Sequence, residues 1–284
     1  MKMKALISDI HANFDALSCV CNDIESRGIE DIICLGDIVG YGPQPEDCTD
    51  MVMTKASVSL MGNHDYALLN GPIGFNPVAA EAIRYTQERM IPSLAEQASG
   101  DHVVTGNYFP CACENKTPKC MVMEHTVPSR WKFMEELVET WRDENTLFVH
   151  GSALDPINEY VFPSSYVGIW NPERIQRMFE KTDWLIFCGH THLPCIITSD
   201  MRSIFPQDVN YRFSLDPKEK YIINIGSVGQ PRDRDNRSCY CLFDEKNRTI
   251  EWRRIPYDIE SVVKKIEAIC GIDNWCGERL RLGR

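Results

Sequence analysis

Short apolar runs and helical stripes alternate along the first half of this 284-residue chain. "ALISDI" (5–10) reads as a buried strand. Behind it Phe14, Leu17, Val20, Cys21 and Ile24 recur at helical spacing, and the stripe ends near Gly28. "DIICLG" (31–36) is a second strand, and "PEDCTDMVM" (45–53) a helix with Pro45 in its first turn. "ASVSLMGN" (56–63) reads as a third strand and "NPVAAEAIRYTQERM" (76–90) as a helix. That rhythm predicts a parallel sheet covered by helices. "NTLFVHG" (145–151) and "DWLIFCGHTH" (183–192) are further buried strands, with the helix "NPERIQRMFEK" (171–181) between them. Trp131, Phe133 and Trp141 read as helix core. Then the texture changes. "PCIITS", "SIFP", "YIINIGS", "SCYCLFD" and "TIEWRRI" are short strands separated by turns, which predicts an antiparallel edge or a second sheet. A last helix is expected from about Asp258 to Cys270. Residues 98–130 fit this scheme poorly and read as a hairpin or lid inserted in a single domain.

Composition narrows the partners. The formal net charge is −11, and no concentrated run of Lys or Arg offsets it. Binding to a phosphate backbone or an anionic membrane wants such a run, so nucleic acid and membrane surfaces are disfavoured. A small phosphorylated molecule stays within reach, because a metal ion can supply positive charge locally. No apolar stretch approaches the ~20 residues that span a bilayer. The first apolar run leads straight into Asp9 and His11, unlike a secretory leader. The 13 cysteines are scattered and odd in number, as in a reduced, cytoplasmic protein that uses them as small core residues. Cys111, Cys113 and Cys120, with His125 beyond, fit no established zinc spacing and read as a turn in the inserted segment.

The chemistry collects where predicted strands end. Asp9 and His11 follow the first, Asp37 the second, and Asn63, His64 and Asp65 the third. His150, then His190 and His192, close two later strands. Five of the seven histidines belong to this set. In parallel α/β sheets functional groups gather at the carboxyl ends of strands, so residues distant in sequence can share one crevice. Imidazole, carboxylate and amide oxygen together suit Zn, Fe or Mn. The pairs "DIH" and "HTH" place their outer residues two apart, where a tightly turned loop can send both to the same side.

The segments "SDIHAN", "GDIVG", "GNHD", "VHG" and "GHTH" stand in the order and approximate spacing of the calcineurin-like metallophosphoesterase superfamily, whose pattern is D-x-H, G-D-x-x-D, G-N-H-[DE], H and G-H-x-H. The chain resembles that family from residue 5 to about 230, and "GSVGQPRD" (226–233) looks like its small bacterial and archaeal phosphoesterase branch. The resemblance implies an α/β fold, a four-layer αββα sandwich of two mixed β-sheets flanked by helices. It implies two divalent metal ions, one on Asp9, His11 and His192, the other on Asn63, His150 and His190, with Asp37 bridging. It further implies hydrolysis of a phosphomonoester or phosphodiester by a metal-bridging hydroxide, with His64 contacting phosphate and protonating the leaving oxygen, oriented by Asp65. A non-catalytic, metal-dependent nucleotide-binding or scaffold protein on the same fold is the alternative, and a nuclease a third.

Four further side chains, Asn13, Tyr41, Arg232 and Arg237, are candidates to face the substrate. Asn13 either caps the following helix or faces a phosphate oxygen. Arg232 and Arg237 flank a Gly/Pro-containing loop and are either solvated or reach the substrate. Gly40 and Tyr41 stand where protein Ser/Thr phosphatases of the family carry a carboxylate and a phosphate-gripping arginine, so Tyr41 is expected to border the substrate cleft. The leaving group, metal identity and oligomeric state stay open.

Overall fold

The computed structural model describes residues 3–90, 130–166 and 168–284. It begins with β1 (Met3–Ile7), α1 (Phe14–Ser26), β2 (Asp31–Cys34), α2 (Pro45–Lys55), β3 (Val58–Ser59), α3 (Asn63–Asn70) and α4 (Pro77–Met90). The middle adds α5 (Arg130–Glu135), β4 (Thr140–Asp143), β5 (Thr146–Val149), α6 (Pro172–Phe179) and β6 (Leu185–Cys188). Then come β7 (Cys195–Thr198), β8 (Ser203–Ile204), β9 (Arg212–Ser214), β10 (Tyr221–Asn224), β11 (Ser238–Asp244), β12 (Thr249–Ile255), α7 (Ile259–Glu267) and α8 (Trp275–Leu282).

Two six-stranded sheets result, ordered β3-β2-β1-β11-β12-β9 and β4-β5-β6-β10-β7-β8. Each has a parallel run: β3, β2 and β1 along one side of the first, β5, β6 and β10 at the centre of the second. Antiparallel strands extend both, making them mixed.

Alternation along each strand explains the layering. Ala5 and Ile7 of β1 pack with Leu17, Val20 and Ile24 of α1, while Leu6 turns to the opposite face. There it joins Phe148 and Phe187 of the second sheet, whose rings stack 5.4 Å apart. Trp252, 2% exposed, fills the same layer and donates its indole N–H across it to the Asn224 carbonyl, at 3.1 Å. On the far side Ile186, Cys188 and Ile222 meet Ile175, Met178 and Phe179 of α6. Helix, sheet, sheet and helix follow one another: the αββα sandwich. The Lys4 amine of β1 reaches Asp143 of β4 at 2.5 Å and Glu245 at 3.2 Å, tying one sheet to the other.

The late short strands serve both expected roles: β9, β11 and β12 are an antiparallel extension of the first sheet, while β7, β8 and β10 complete the second. The structure corrects several expectations. The strand over 56–63 shrinks to Val58–Ser59, because Gly62 already caps α3. Trp141 lies not in a helix but in β4, 41% exposed, because that strand is the edge of its sheet. The helix after Asp258 stops at Glu267, and α8 follows unforeseen. Asp258 caps α7 by accepting from the Ser261 N–H. The insertion expected at 98–130 and Cys111, Cys113, Cys120 and His125 lie outside the described residues, Arg130 excepted. The ten described cysteines are free thiols. No helix among the described residues is long and apolar enough to cross a membrane.

Candidate metal centre

The loops leaving β1, β2, β3, β5 and β6 meet at one end of the two sheets. The backbone there is unusual. Asp9, His11, Asp37, His190 and His192 all have φ between 48° and 65°, in the left-handed region that side chains rarely enter. Such conformations cost roughly 1–3 kcal/mol each and persist where the surroundings enforce them. Here the backbone enforces them: Ile10 and His11 both donate to the Asp37 carbonyl, at 2.8 and 3.0 Å, and Ala12 donates to Ile38. The turns aim every one of these side chains inward; all five are 3% exposed or less.

Four imidazoles share one arrangement. His11 Nδ1 faces the Val39 carbonyl at 3.1 Å and His150 Nδ1 the Leu35 carbonyl at 3.0 Å. His192 Nδ1 faces the Gln230 carbonyl at 2.5 Å, and His190 Nε2 the Asn158 carbonyl at 3.1 Å. A carbonyl only accepts, so each of these nitrogens carries the proton and the opposite nitrogen presents a lone pair. Those opposite nitrogens converge. His11 Nε2 and His192 Nε2 are 3.1 Å apart, and His150 Nε2 and His190 Nδ1 are 3.0 Å apart. His192 lies 3.2 Å from an Asp9 oxygen. Asp37 Oδ2 lies 3.6 Å from His11 and 3.4 Å from His150, between the two pairs. Asn63 Oδ1 approaches His150 Nε2 at 3.2 Å. Two lone pairs facing each other at 3 Å are unfavourable unless a cation shares them, so the donor set fits divalent ions. Asp9, His11 and His192 form one group that can hold a metal ion, and Asp37, His150 and His190 another. The outer residues of "HTH" thus part company, one to each group.

Asp65 departs from the expectation that it orients His64. Its carboxylate accepts from the N–H groups of Asp37 (2.7 Å), Ile38 (3.0 Å), Val39 (3.3 Å) and Gly62 (3.0 Å). Its oxygens are therefore spent on the turn that presents Asp37. His64 Nδ1 is buried and has no hydrogen-bond partner. It is held instead by rings: Tyr41 at 4.6 Å, His11 at 4.7 Å and Phe75 at 4.9 Å between centroids. The structure also explains Gly40. Its φ is +88°, and a Cβ there would lie 2.2 Å from His64 Nδ1. The space a carboxylate would occupy belongs to the imidazole.

Charge within the site follows from burial and proximity. Burial alone would raise the Asp37 carboxyl, but His150 and His64 hold it well below the usual range. Burial would likewise raise Asp9, and His192 holds it down. Burial would lower His150, yet Asp37 beside it raises the ring to about 9. Burial pushes His64 down to about 4 and His190 to about 3. Asp9 and Asp37 stay anionic, as metal ligands must be, whereas burial, then the charge of Asp37, raises Asp65 to about 7.

At the mouth the sequence candidates divide. Asn13 caps α1: its Oδ1 accepts from Ala16 N–H at 3.1 Å and its Nδ2 donates to the Gly229 carbonyl at 2.8 Å. Both ends of the amide are engaged by backbone. Tyr41 is 8% exposed and forms wall rather than open rim, its ring 4.8 Å from that of His11. Arg237 pairs with Asp235 and is exposed. Arg232 is half-buried, donates to Gln230 Oε1 at 2.9 Å, keeps its Nε unpartnered, and has no carboxylate at ion-pair distance among the described residues. Sequence reasoning missed Arg279 of α8, whose guanidinium sits 5.8 Å from the Tyr41 ring and 4.3 Å from the Trp275 ring, while its Nε donates to the main-chain oxygen of Arg284 at 2.5 Å. Burial, then Arg232, lowers it to about 10. It missed Tyr160 too, which stacks on His190 with centroids 3.7 Å apart. The only trace of Arg279 was the basic stretch "ERLRLGR", and nothing in the sequence placed that stretch at the site.

Comparison with known proteins agrees with this geometry. The chain is 36% identical over 285 residues to an uncharacterized protein of Methanocaldococcus jannaschii, covering 99% of this chain and 98% of that one. It is similar to the crystal structure of a metallophosphoesterase from Sphaerobacter thermophilus, with a TM-score of 0.73 and 30% identity over 100% of this chain and 99% of that one. It shares its fold with a hypothetical protein from Pyrococcus horikoshii, at a TM-score of 0.69 and 15% identity over 100% and 99% of the two chains. Residues 1–248 match the calcineurin-like phosphoesterase superfamily domain, and the chain belongs to that superfamily.

Proposed function

We propose that the protein is a dinuclear metal-dependent phosphoesterase that hydrolyses a phosphomonoester or phosphodiester of a small molecule or nucleotide. One observation carries this reading: four imidazoles are each anchored through one ring nitrogen and turn the other toward Asp9 or Asp37. Asp9, His11 and His192 would hold one ion, Asn63, His150 and His190 the other, and Asp37 both. When bound, Mn, Fe or Zn at these residues supplies Lewis acidity toward phosphoryl oxygens and an activated water. The backbone carbonyls behind the imidazoles fix their tautomers and directions. His64, held by rings rather than by a backbone carbonyl, is assigned to the leaving oxygen; burial lowers it to about 4, so it would carry the proton it gives only with an anionic phosphate beside it. Arg232 and Arg279 bring fixed positive charge to the mouth, where a phosphate's outer oxygens would lie.

The test is hydrolysis of p-nitrophenyl phosphate and bis(p-nitrophenyl) phosphate by Mn-loaded protein, with bound metal counted by elemental analysis. About two ions per chain and turnover of at least one ester are expected. The reading is overturned if neither ester reacts, or if Asp37→Asn retains both metal content and rate.

A further inference from the structure

Beside the metal centre lies a second feature with no place in the hydrolytic chemistry. A cleft of about 300 Å³ is lined by Tyr166, Leu193, Pro194, Phe205, Gln207 and Arg232, among others. That volume is at the lower end of the roughly 300–1,000 Å³ typical of small-molecule sites. Its wall starts at the centre itself. Leu193 directly follows His192, and the Arg232 N–H donates to the His192 carbonyl at 3.3 Å.

Aromatic rings run from the centre toward this cleft. Tyr160 stacks on His190, Phe162 stacks on Tyr160 at 5.5 Å, and Tyr166 stacks on Phe162 at 5.2 Å. The two tyrosines are 48% and 39% exposed, although large rings are normally covered where a chain can cover them. Each ring in the series supports the next, so Tyr166 reaches the cleft as a braced aromatic wall, and Phe205 lines the same cleft. Gln207, exposed on the same lining, offers both a donor and an acceptor. Arg232 lines the cleft and its N–H is bonded to the His192 carbonyl, so one residue borders both the cleft and the centre.

A sugar phosphate or a glycerol phosphate would leave the aromatic wall uncovered. A planar heterocycle would cover it and use the amide of Gln207. On the phosphoesterase reading of the centre, we propose that the cleft binds the base of a nucleotide whose phosphate lies at the metal ions, making nucleoside phosphates the preferred substrate class.

The experiment uses ligands that cannot be hydrolysed at the ester bond. Mn-loaded protein is titrated calorimetrically with an adenosine 5′-phosphonate in which CH₂ replaces the bridging oxygen, with the base-free ribose phosphonate, and with inorganic phosphate. Stacking on an aromatic wall predicts that the base raises affinity about tenfold or more. Tyr166→Ala and Phe205→Ala should each remove most of that gain and leave inorganic phosphate binding as it was. Equal affinity with and without the base overturns the proposal, as does a gain that survives both substitutions. The two readings fail separately. Ester hydrolysis without a base-dependent gain removes the nucleotide assignment alone, and a base-dependent gain without hydrolysis removes the phosphoesterase reading alone.

Discussion

Single residues carry the sharpest consequences. Asp37 lies within 3.6 Å of imidazole nitrogens from both groups, those of His11 and His150. Asp37→Asn keeps the shape and removes the charge, and turnover should fall at least about a hundredfold, the scale of losing one preorganised electrostatic contact. Parallel metal analysis separates lost ions from lost rate. His64 makes a different prediction. If it gives a proton to the leaving group, His64→Ala should slow an alkyl phosphate ester by roughly 10²–10⁴-fold. A p-nitrophenyl ester, whose leaving group needs no proton, should slow far less. Equal slowing of both would remove the proton-donor role. The motifs made most of these residues visible, because ligand chemistry demands particular side chains at particular turns. Asp65 was found but given the wrong task, since a pattern of letters does not say which N–H groups a carboxylate will meet.

At the scale of elements, support matters as much as ligands. Arg254 of β12 is nearly buried and pairs with Asp233 and Asp235 in the loop that carries Arg232. Arg254→Met leaves Asp233 without a cation, while Asp235 keeps Arg237, and should cost about 3 kcal/mol, read as a lower urea midpoint. Lys4 supports a pH prediction. Burial would lower its amine, but Asp143 and Glu245 outweigh that and raise it above the ordinary lysine value of 10.5. A raised folded-state value stabilises fully below the unfolded value and is lost as pH climbs through the folded one. Wild type should therefore exceed Lys4→Met in denaturant resistance near neutrality, with the gap closing above pH 10.5. A gap that stays constant to pH 12 would deny the ion pair its role. Strands and helices of the first half were legible because their periodicities are clean. The β3 region was not: Leu60 and Met61 are as apolar as strand residues, yet the turn at Gly62 ends the strand early. Residue Trp141 misled for a similar reason. Its apolar character says nothing of whether its strand is central or an edge.

For the whole molecule, the centre should act as a stabiliser. An ion that binds only the folded chain adds about 2.7 kcal/mol at a hundredfold excess over its Kd. In a chain of this size that corresponds to a rise in Tm of roughly 5–10 °C. Adding Mn to chelator-treated protein should produce it, and Asp37→Asn should blunt it. The sandwich as a class could be anticipated, but the sharing of late strands between both sheets could not. Strand partners are chosen by long-range packing, which local patterns do not encode. Arg279 escaped for the same reason, since its approach to Tyr41 depends on how α8 docks.

Asp9, His11, Asp37 and Asn63 come from loops of one sheet, and His150, His190 and His192 from loops of the other. The group of Asp9, His11 and His192 and that of Asp37, His150 and His190 therefore each draw on both sheets, so the gap within each is set by how the sheets rest on each other, and the stacked Phe148 and Phe187 are part of that bearing surface. The core between the layers works as a calibrated spacer. Shaving it, as in Phe187→Leu, should change catalytic rate and metal affinity along with stability, though no shaved atom comes from a ligand. Tuning such a centre for another temperature would then draw on the interior as readily as on the loops that carry its side chains.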